Sequence, residues 1–213
     1  KQLPSTAGQL QYRMEKDLDI IQAIMESHGY YDGQVSREVD TQQTPARATF
    51  LLDLGEPYRF RHIDLIFLGD ADAVLSGIMP RIRSNQRVVA SAVFDEQRRI
   101  LEQLKKEGYP FPRLVRRVVT IDRAKQVVDV ALVFDPGVLA YFSEALIEGL
   151  DELPEKYIFR QLPWTPADRY DAKKIEDFQR KLLESGLFKC VRVEPQEPAA
   201  YTNAIPITVR VSE

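Results

Sequence analysis

The side chains that most often carry catalysis or bind metals are scarce in this chain of 213 residues. It contains two histidines, His28 and His62, and one cysteine, Cys190. A structural zinc site needs about four cysteine or histidine ligands, so these three residues do not predict a metal cluster. Neither histidine accompanies a nucleophile pattern such as Gly-x-Ser-x-Gly, and no glycine-rich phosphate loop occurs. We therefore predict no enzymatic activity, no cofactor and no metal site.

The polar residues that remain have simpler structural interpretations. His28 comes just before a helix-stop glycine, where a donor or cation favours the last carbonyl oxygens. His62 lies within a strand pattern, and Cys190 fits a small strand hydrophobe. A helix surface or cap explains the acidic pairs better than an acid–base dyad does; these pairs are Asp17 with Asp19 and Asp70 with Asp72. Trp164, between two prolines, is a possible interface anchor, with packing over the helices as the alternative.

Composition excludes several classes of protein. The net charge is −3 with mixed signs, so no basic field for nucleic acid is present. No apolar run approaches the ~20 residues of a membrane helix. The hydrophobic share of 44% is enough for packed cores. No signal peptide is visible at Lys1, which fits a mature chain or a cut fragment.

Three glycines organise the chain. Gly29, Gly108 and Gly186 are separated by 79 and 78 residues. Each ends an apolar pattern of helical spacing and precedes a segment of strand alternation. Apolar residues stand eight and four positions before each glycine: Ile21 and Met25, Ile100 and Leu104, Phe178 and Leu182. A fixed period with matching roles predicts repeated structural units.

The helix before the third glycine is the clearest element. Asp171 is a plausible N-cap, because its carboxylate can accept hydrogen bonds from the free amides of the first turn. The apolar stripe predicts that Phe178 and Leu182 are core residues, as are Ile100 and Leu104 in the preceding repeat.

Two turns, Gly55-Glu56-Pro57 and Asp135-Pro136-Gly137, mark boundaries between the repeats. They predict three segments: 1–55, a partial unit without its opening strand, then 56–136 and 137–213. Each full unit reads strand, helix, helix, strand, strand. In the central unit the predicted strands are 58–67, 114–121 and 127–134, and the predicted helices are 71–83 and one that begins at Ser91 or Asp95 and runs to Gly108. In the last unit the predicted strands are 139–147, 187–193 and 205–211, and the predicted helices are 154–162 and 171–185. Pro206 lacks an amide and predicts an edge or a bulge.

This order of elements resembles the POTRA (polypeptide-transport-associated) domain. The boundary motifs that carry the resemblance are Leu-Gly-Glu-Pro-Tyr-Arg-Phe at 54–60 and Asp-Pro-Gly-Val-Leu at 135–139. Two further stretches resemble the first and last POTRA domains of TamA-like outer-membrane assembly factors, within the BamA/TamA superfamily. They are Pro-Ser-Thr at 4–6 through His-Gly-Tyr-Tyr-Asp at 28–32, and Arg-Tyr-Asp at 169–171 leading to Leu-Glu-Ser-Gly-Leu-Phe at 183–188 and Val-Arg-Val at 191–193.

The resemblance implies an α+β fold of tandem POTRA domains (β-α-α-β-β), each a three-stranded mixed sheet with two helices packed on one face. It implies a non-enzymatic module on the periplasmic side of the outer membrane of a Gram-negative bacterium. The expected partners are unfolded outer-membrane protein clients, a TamB-like protein anchored in the inner membrane, and the family's own C-terminal β-barrel, which this chain lacks. The chain is therefore expected to be an excised periplasmic portion of such a factor.

The resemblance also implies where clients bind. In POTRA domains the strand after the glycine lies at the sheet edge, where unpaired amides and carbonyls can take up an extended chain. Its charged residues fit an edge protected against aggregation, and the strand that follows is more apolar, as inner strands are. The candidate edge residues are Val35, Arg37, Val39, Arg116, Val118, Lys189, Val191 and Val193.

Three other interpretations are open. A POTRA-type scaffold of another secretion or division system shares the unit, although such scaffolds normally carry one copy beside a membrane helix. A nucleic-acid-binding α/β module of the KH type is opposed by the missing GxxG clamp and the acidic balance. An enzyme with a site built by loops between repeats finds no support in those loops.

Overall fold

The computed structural model describes residues 7–40, 47–69, 75, 77–197 and 202–213. We number the helices and strands of this part in chain order. The helices are α1 (Ala7–Ser27), α2 (Ala90–Lys106), α3 (Glu155–Phe159) and α4 (Ala172–Glu184). The strands are β1 (Gln34–Asp40), β2 (Arg47–Asp53), β3 (Arg59–Phe67), β4 (Arg113–Asp122), β5 (Val127–Asp135), β6 (Tyr141–Glu148), β7 (Cys190–Pro195) and β8 (Ala204–Ser212). None of these helices is long and apolar enough to span a membrane.

The strands form three separate sheets. One is the β1–β2 hairpin, and the other two have the orders β3-β5-β4 and β6-β8-β7. In the last sheet β6 runs parallel to β8 and β7 runs antiparallel to it, so the sheet is mixed. In each three-stranded sheet the second strand in chain order, β4 or β7, therefore lies at an edge, and the third, β5 or β8, lies in the middle. This arrangement confirms the predicted α+β fold.

The predicted helix ends are confirmed. Gly29, Gly108 and Gly186 have φ values of +85°, +90° and +72°, a region that side-chain-bearing residues adopt only at a steric cost. At the start of α4, the carboxylate of Asp171 accepts a hydrogen bond from the amide of Lys173 at 2.8 Å. A glycine with positive φ therefore follows α1, α2 and α4, and an aspartate N-cap begins α4.

Spatial proximity divides the chain into two compact units. The first comprises Lys1–Leu65, Pro80–Glu96 and Arg117–Leu132. Most of its described buried side chains come from the helices and from alternate strand positions, as the periodicity predicts, and Tyr58 and Val88 lie in irregular backbone next to them. The buried side chains include Met14, Met25, Tyr58, Phe60, Val88, Val93, Val128, Val130 and Leu132.

The second unit comprises Ile66–Met79, Gln97–Arg116 and Val133–Glu213. The four predicted core residues, Ile100, Leu104, Phe178 and Leu182, are all at most 1% exposed, which confirms the helix faces. Phe178 and Leu182 belong to a cluster of buried residues drawn from β6, β7, β8 and the helices. On β8 the cluster includes alternate residues, as the sequence predicts: Ile205, Ile207, Val209 and Val211.

Pro206 lies in the central strand β8, so its predicted edge position is wrong and its predicted bulge is correct. The register of β6 against β8 shifts between Phe142 and Ala145, opposite Ile205 and Ile207. Because proline has no amide to donate, a ladder bond is missing at this position in any arrangement. The irregularity of β6 lies opposite the residues on either side of Pro206. The missing amide itself would face β7, because the carbonyl of Pro206 accepts a hydrogen bond from the amide of Gln196.

The helix predicted at 71–83 falls largely outside the described residues, as do Asp70 and Asp72. Residues 77–83 form turns and irregular backbone. The boundaries at 55/56 and 136/137 stay predictions; both fall in irregular backbone between elements.

Candidate protein-binding edges and repeat junctions

Strand β4 presents ten residues along one edge of its sheet, because its neighbour in the described sheet order is β5 alone. Successive side chains are exposed over most of the strand, so both of its faces are open. The candidate Val118 is 38% exposed and Val119 is 46% exposed. Arg116 is exposed as well. The central repeat thus brings both of its candidate residues to an accessible edge.

An apolar groove of about 210 Å³ lies beside this edge. Val93 and Phe94 line it from the start of α2, and Val119 and Val130 line it from the sheet. The guanidinium of Arg117 lies over the ring of Phe94, 4.2 Å from its centroid, a cation–π contact. A strand laid along β4 would therefore find apolar surface for alternate side chains.

The edge of β7 is largely closed. The amide of Gln196 donates to the carbonyl of Pro206 at 2.9 Å, which fixes the even-numbered residues of β7 as those bonded to β8. The amide of Val193 faces the other way and donates to Oε1 of Gln179 on α4 at 3.1 Å. The outward-facing residues are Val191, Val193 and Pro195. Because the amide of Val193 is bonded to Gln179 and Pro195 has no amide, Val191 supplies the one outward amide of β7 that has no partner among the described residues.

The candidate side chains of this third segment point mostly into the protein. Val191 and Val193 are each 5% exposed and belong to the core. Lys189 lies one residue before β7, and its amide donates to the carbonyl of Ser212 at 2.7 Å. Its side chain contacts the carbonyl oxygen of Glu213. These three residues therefore contribute to the core and to the β7–β8 pairing, and little of Val191 and Val193 is accessible to a partner.

The first segment supplies a two-stranded edge. Val35, Arg37 and Val39 lie on β1, which pairs with β2 from Gln34 to Asp40. Val39 is 44% exposed. A nitrogen of the Arg37 guanidinium lies 3.5 Å from a carboxylate oxygen of Glu15 on α1, so this cation is tied to the helix.

Trp164 is part of the core of the second unit. It is 5% exposed, stacks on Phe142 with ring centroids 4.7 Å apart, and meets Phe178 edge-on at 5.3 Å. This position corresponds to the packing alternative read from the sequence. Little of the indole is offered to a partner.

The residues considered for catalysis lie apart. Nδ1 of His28 is 2.9 Å from the carbonyl oxygen of Ile24, which is the capping contact expected from the sequence. His62 is exposed on β3, and Cys190 is exposed at the start of β7. Among the described residues, no group of three histidine, cysteine, aspartate or glutamate side chains is placed to hold a metal ion.

The first repeat junction is made from main-chain atoms at the end of α1. The amide of Tyr58 donates to the carbonyl of Gly29 at 2.8 Å, and the carbonyl of Tyr58 accepts from Val88 at 2.9 Å. Nε of Arg87 donates to the carbonyl of His28 at 3.2 Å. The end of α1 is therefore bonded to Tyr58, the residue before β3, and to Arg87.

A side-chain cluster around Asp32 reinforces this junction. Its carboxylate accepts from the hydroxyl of Tyr58 at 2.8 Å and from Arg123 at 3.0 Å. The Tyr58 hydrogen bond, followed by those of Gln126 and Arg123, holds the pKa of Asp32 below its usual value. Burial, and then the hydrogen bond to Asp32, raises the pKa of Tyr58. Both groups thus keep their ordinary charge at neutral pH.

The second junction repeats the first. The amide of Ala140 donates to the carbonyl of Gly108 at 2.8 Å, and the carbonyl of Ala140 accepts from Tyr170 at 2.9 Å. The guanidinium of Arg169 contacts the carbonyl of Glu107. Arg169 occupies the place that Arg87 has in the first junction, one residue before the second donor. Two junctions of one chain therefore use the same three kinds of contact.

A second repeat in the sequence, with a spacing of 82 residues, marks the residues of this junction. Tyr58, Phe60 and Arg87 in one repeat are followed 82 residues later by Ala140, Phe142 and Arg169. The turn before each arginine holds a residue with positive φ, Asn85 at 68° and Ala167 at 72°. Because these residues are far apart along the chain, glycine spacing alone could not pair them.

Comparison with known proteins agrees with this architecture. Residues 140–213 match the family model described as "POTRA: Surface antigen variable number repeat". No curated protein sequence matches the chain. A crystal structure of POTRA3–5 of BamA from Haemophilus influenzae is similar with a TM-score of 0.62 and 21% identity, over 94% of this chain and 80% of that one.

A second similar structure is BamA from Haemophilus ducreyi lacking POTRA domains 1–3, with a TM-score of 0.63 and 14% identity. The match covers 73% of this chain and 29% of that one. At these identities the two structures show the fold. Residues 140–213 match the POTRA family model, and the chain has the fold of tandem POTRA domains.

Proposed function

We propose that this chain is the periplasmic POTRA module of an outer-membrane protein assembly or translocation factor, and that it takes up extended segments by strand addition along β4. POTRA domains are periplasmic parts of outer-membrane proteins of the Omp85 family. The occupants proposed for the edge are unfolded outer-membrane protein clients or a TamB-like partner. The module acts as a non-catalytic receptor in this proposal.

The exposed edge of β4 is the observation that carries the proposal. Strand addition needs a row of main-chain donors and acceptors that neither a neighbouring strand nor a side chain occupies. In the described part of the chain β4 lies at the edge of its sheet over ten residues, whereas β7 is shorter and has one donor bonded to Gln179 and one position taken by Pro195. The central repeat is therefore the favoured docking site.

The groove beside β4 supports selection among clients. In an added strand successive side chains point to opposite faces, so one set lies over Val93, Phe94 and Val119. Main-chain pairing is indifferent to sequence, and the groove adds a preference for alternating apolar residues. Arg116 and Arg117 favour acidic side chains or a terminal carboxylate on the client.

Proline scanning at two adjacent positions tests strand addition. Consecutive residues of an edge strand alternate between outward-facing amides and amides bonded to the neighbouring strand. Of Val118→Pro and Val119→Pro, one therefore removes an outward donor and leaves the sheet intact, while the other breaks a bond to β5. Val118→Thr and Val119→Thr are the matched controls, since they keep the amide and the β-branched shape.

The probe is a fluorescent peptide of about ten residues, the length of β4, with alternating phenylalanine and serine and a free carboxylate. Anisotropy measures its binding to the 213-residue chain, and a denaturation midpoint shows which proline variant is folded as the parent. We expect that variant to lose binding and both threonine variants to keep it. If the well-folded proline variant binds as the parent does, the docking surface is elsewhere.

A further inference from the structure

The end of α4 has the same local construction as the helix ends at the two junctions. Gly186 follows the last residue of α4 by two positions, as Gly29 and Gly108 follow the last residues of α1 and α2. All three glycines have positive φ. Ser185 corresponds by position to His28 and Glu107, whose carbonyls accept from an arginine at the junctions.

The surroundings of the three glycines differ. A Cβ placed on Gly29 would lie 2.6 Å from the carbonyl oxygen of Val88, and one on Gly108 would lie 2.7 Å from Leu139. A Cβ on Gly186 would have no atom within 4 Å. Gly29 and Gly108 are buried and Gly186 is exposed. The third helix end is thus an open surface where the other two are covered.

The polar and apolar groups of this surface match those that the covered ends use. In the described part of the chain, the carbonyls of Glu184, Ser185 and Gly186 accept no hydrogen bond. Leu183 and Leu187 beside them are 42% and 43% exposed. The surface therefore combines main-chain acceptors, which the covered ends also use, with exposed apolar side chains on either side of them.

We propose that the end of α4 is a docking surface for a further strand-and-arginine unit of the kind that opens the second and third repeats. The partner presents an extended strand whose first amide donates to the carbonyl of Gly186. An arginine that follows a positive-φ turn donates to the carbonyl of Ser185. The partner is thus identified by two donors: a main-chain amide that bonds to Gly186 and a guanidinium that bonds to Ser185.

Chain spacing allows the surface to be tested in cis. From the glycine to the first strand donor there are 29 residues at the first junction, Gly29 to Tyr58, and 32 at the second, Gly108 to Ala140. A chain in which residues 137–213 are repeated directly after Glu213 places the second copy of Ala140 31 residues after Gly186. The number of residues between the glycine and the strand donor is then close to that at the two natural junctions.

Amide hydrogen exchange of this extended chain measures docking. We expect the amide of the appended Ala140 to be protected to within about tenfold of the original Ala140 in the same molecule. Arg169→Ala in the appended copy should reduce that protection. Arg160→Ala in the same copy is the matched control, because Arg160 follows α3 and takes no part in the junction. Protection of the appended Val209 amide reports that the copy is folded.

The proposal is wrong if the appended copy is folded and the amide of its Ala140 exchanges as an unprotected strand end. It is also wrong if Arg169→Ala and Arg160→Ala in the copy have the same effect on that amide. Either result would mean that the third helix end is ordinary surface.

If the appended copy does not fold, a second variant tests whether the residues at the end of α4 support docking of a strand. Glu107→Ser with Tyr109→Leu gives the positions on either side of Gly108 the residues that flank Gly186, while the natural partner strand of α2 stays in place. We expect the amide of Ala140 to remain protected. Loss of that protection, with the Val209 amide still protected, would show that the residues of the α4 end do not support docking.

Discussion

The side-chain carbonyl of Gln179 accepts a hydrogen bond from the outward-facing amide of Val193 at 3.1 Å. The helix thereby closes the edge of the strand that it covers. With Pro195 two positions further on, β7 keeps one outward donor. Edge strands invite pairing with other chains, and a helix side chain bonded to the edge is one way to prevent it.

Replacing Gln179 should open this edge. In Gln179→Met the amide of Val193 loses its partner while the helix keeps a side chain of similar length, so we expect faster hydrogen exchange at Val193 and stronger binding of the extended peptide. Glu176→Ala, an exposed change on the same helix, is the control and should alter neither property. Unchanged exchange at Val193 would mean that Gln179 does not protect the amide.

Adjacent leucines at the end of α4 separate core from surface. Leu182 is 0% exposed and Leu183 is 42% exposed. Leu182→Ala should lower the free energy of unfolding by about 2–5 kcal/mol, because it leaves a cavity in the core, and Leu183→Ala should change it by about 0.5 kcal/mol or less. Urea denaturation measures both. Equal effects at the two positions would contradict the helix orientation.

Glycine substitution distinguishes a covered helix end from an open one. Gly108→Ala and Gly186→Ala both place a side chain at positive φ, at a cost of about 1–2 kcal/mol each. Only at Gly108 would the new Cβ also lie 2.8 Å from Nε of Arg169. We expect the larger loss of stability for Gly108→Ala, together with faster exchange of the Ala140 amide. Matching losses at both sites would argue that the second junction contributes little.

Acid should weaken the first junction through Asp32. Its pKa is lowered from 3.8 in the folded chain, chiefly by the hydrogen bond from Tyr58, so its contribution is fully present above that value. The contribution is lost as the pH falls through the lower, folded-state pKa. The difference in Tm between the parent and Asp32→Asn should therefore shrink as the pH is lowered from neutral. A difference that stays constant to the lowest pH would exclude this role.

The elements themselves could be predicted from the sequence because their causes are local. Helical periodicity and the glycine stops place α2 and α4, and alternation places β5 and β8, within a few residues of their observed ends. The position of Trp164 could not be settled in this way, since only the packing of Phe142 and Phe178 around it shows that it is buried.

The candidate edges were harder to predict for the same physical reason. The pattern at 187–193 looked like that at 114–121, yet β7 is closed by Gln179, a residue 14 positions before Val193. Contacts of this kind depend on how a helix lies over a sheet. The same holds for the junctions, where Arg87 and Arg169 reach a helix end of the preceding repeat.

The junction acceptors have a consequence for how such chains tolerate mutation. At Gly29 and Gly108 the atom that receives the strand is a main-chain carbonyl oxygen, which every residue type possesses. A point mutation at the helix end can alter shape there, and it leaves the acceptor in place. The side-chain contact that both junctions share comes from one arginine on the following repeat, and the first junction adds the cluster around Asp32. Repeats of divergent sequence can therefore remain mutually compatible, and duplication or exchange of a whole repeat needs few compensating changes.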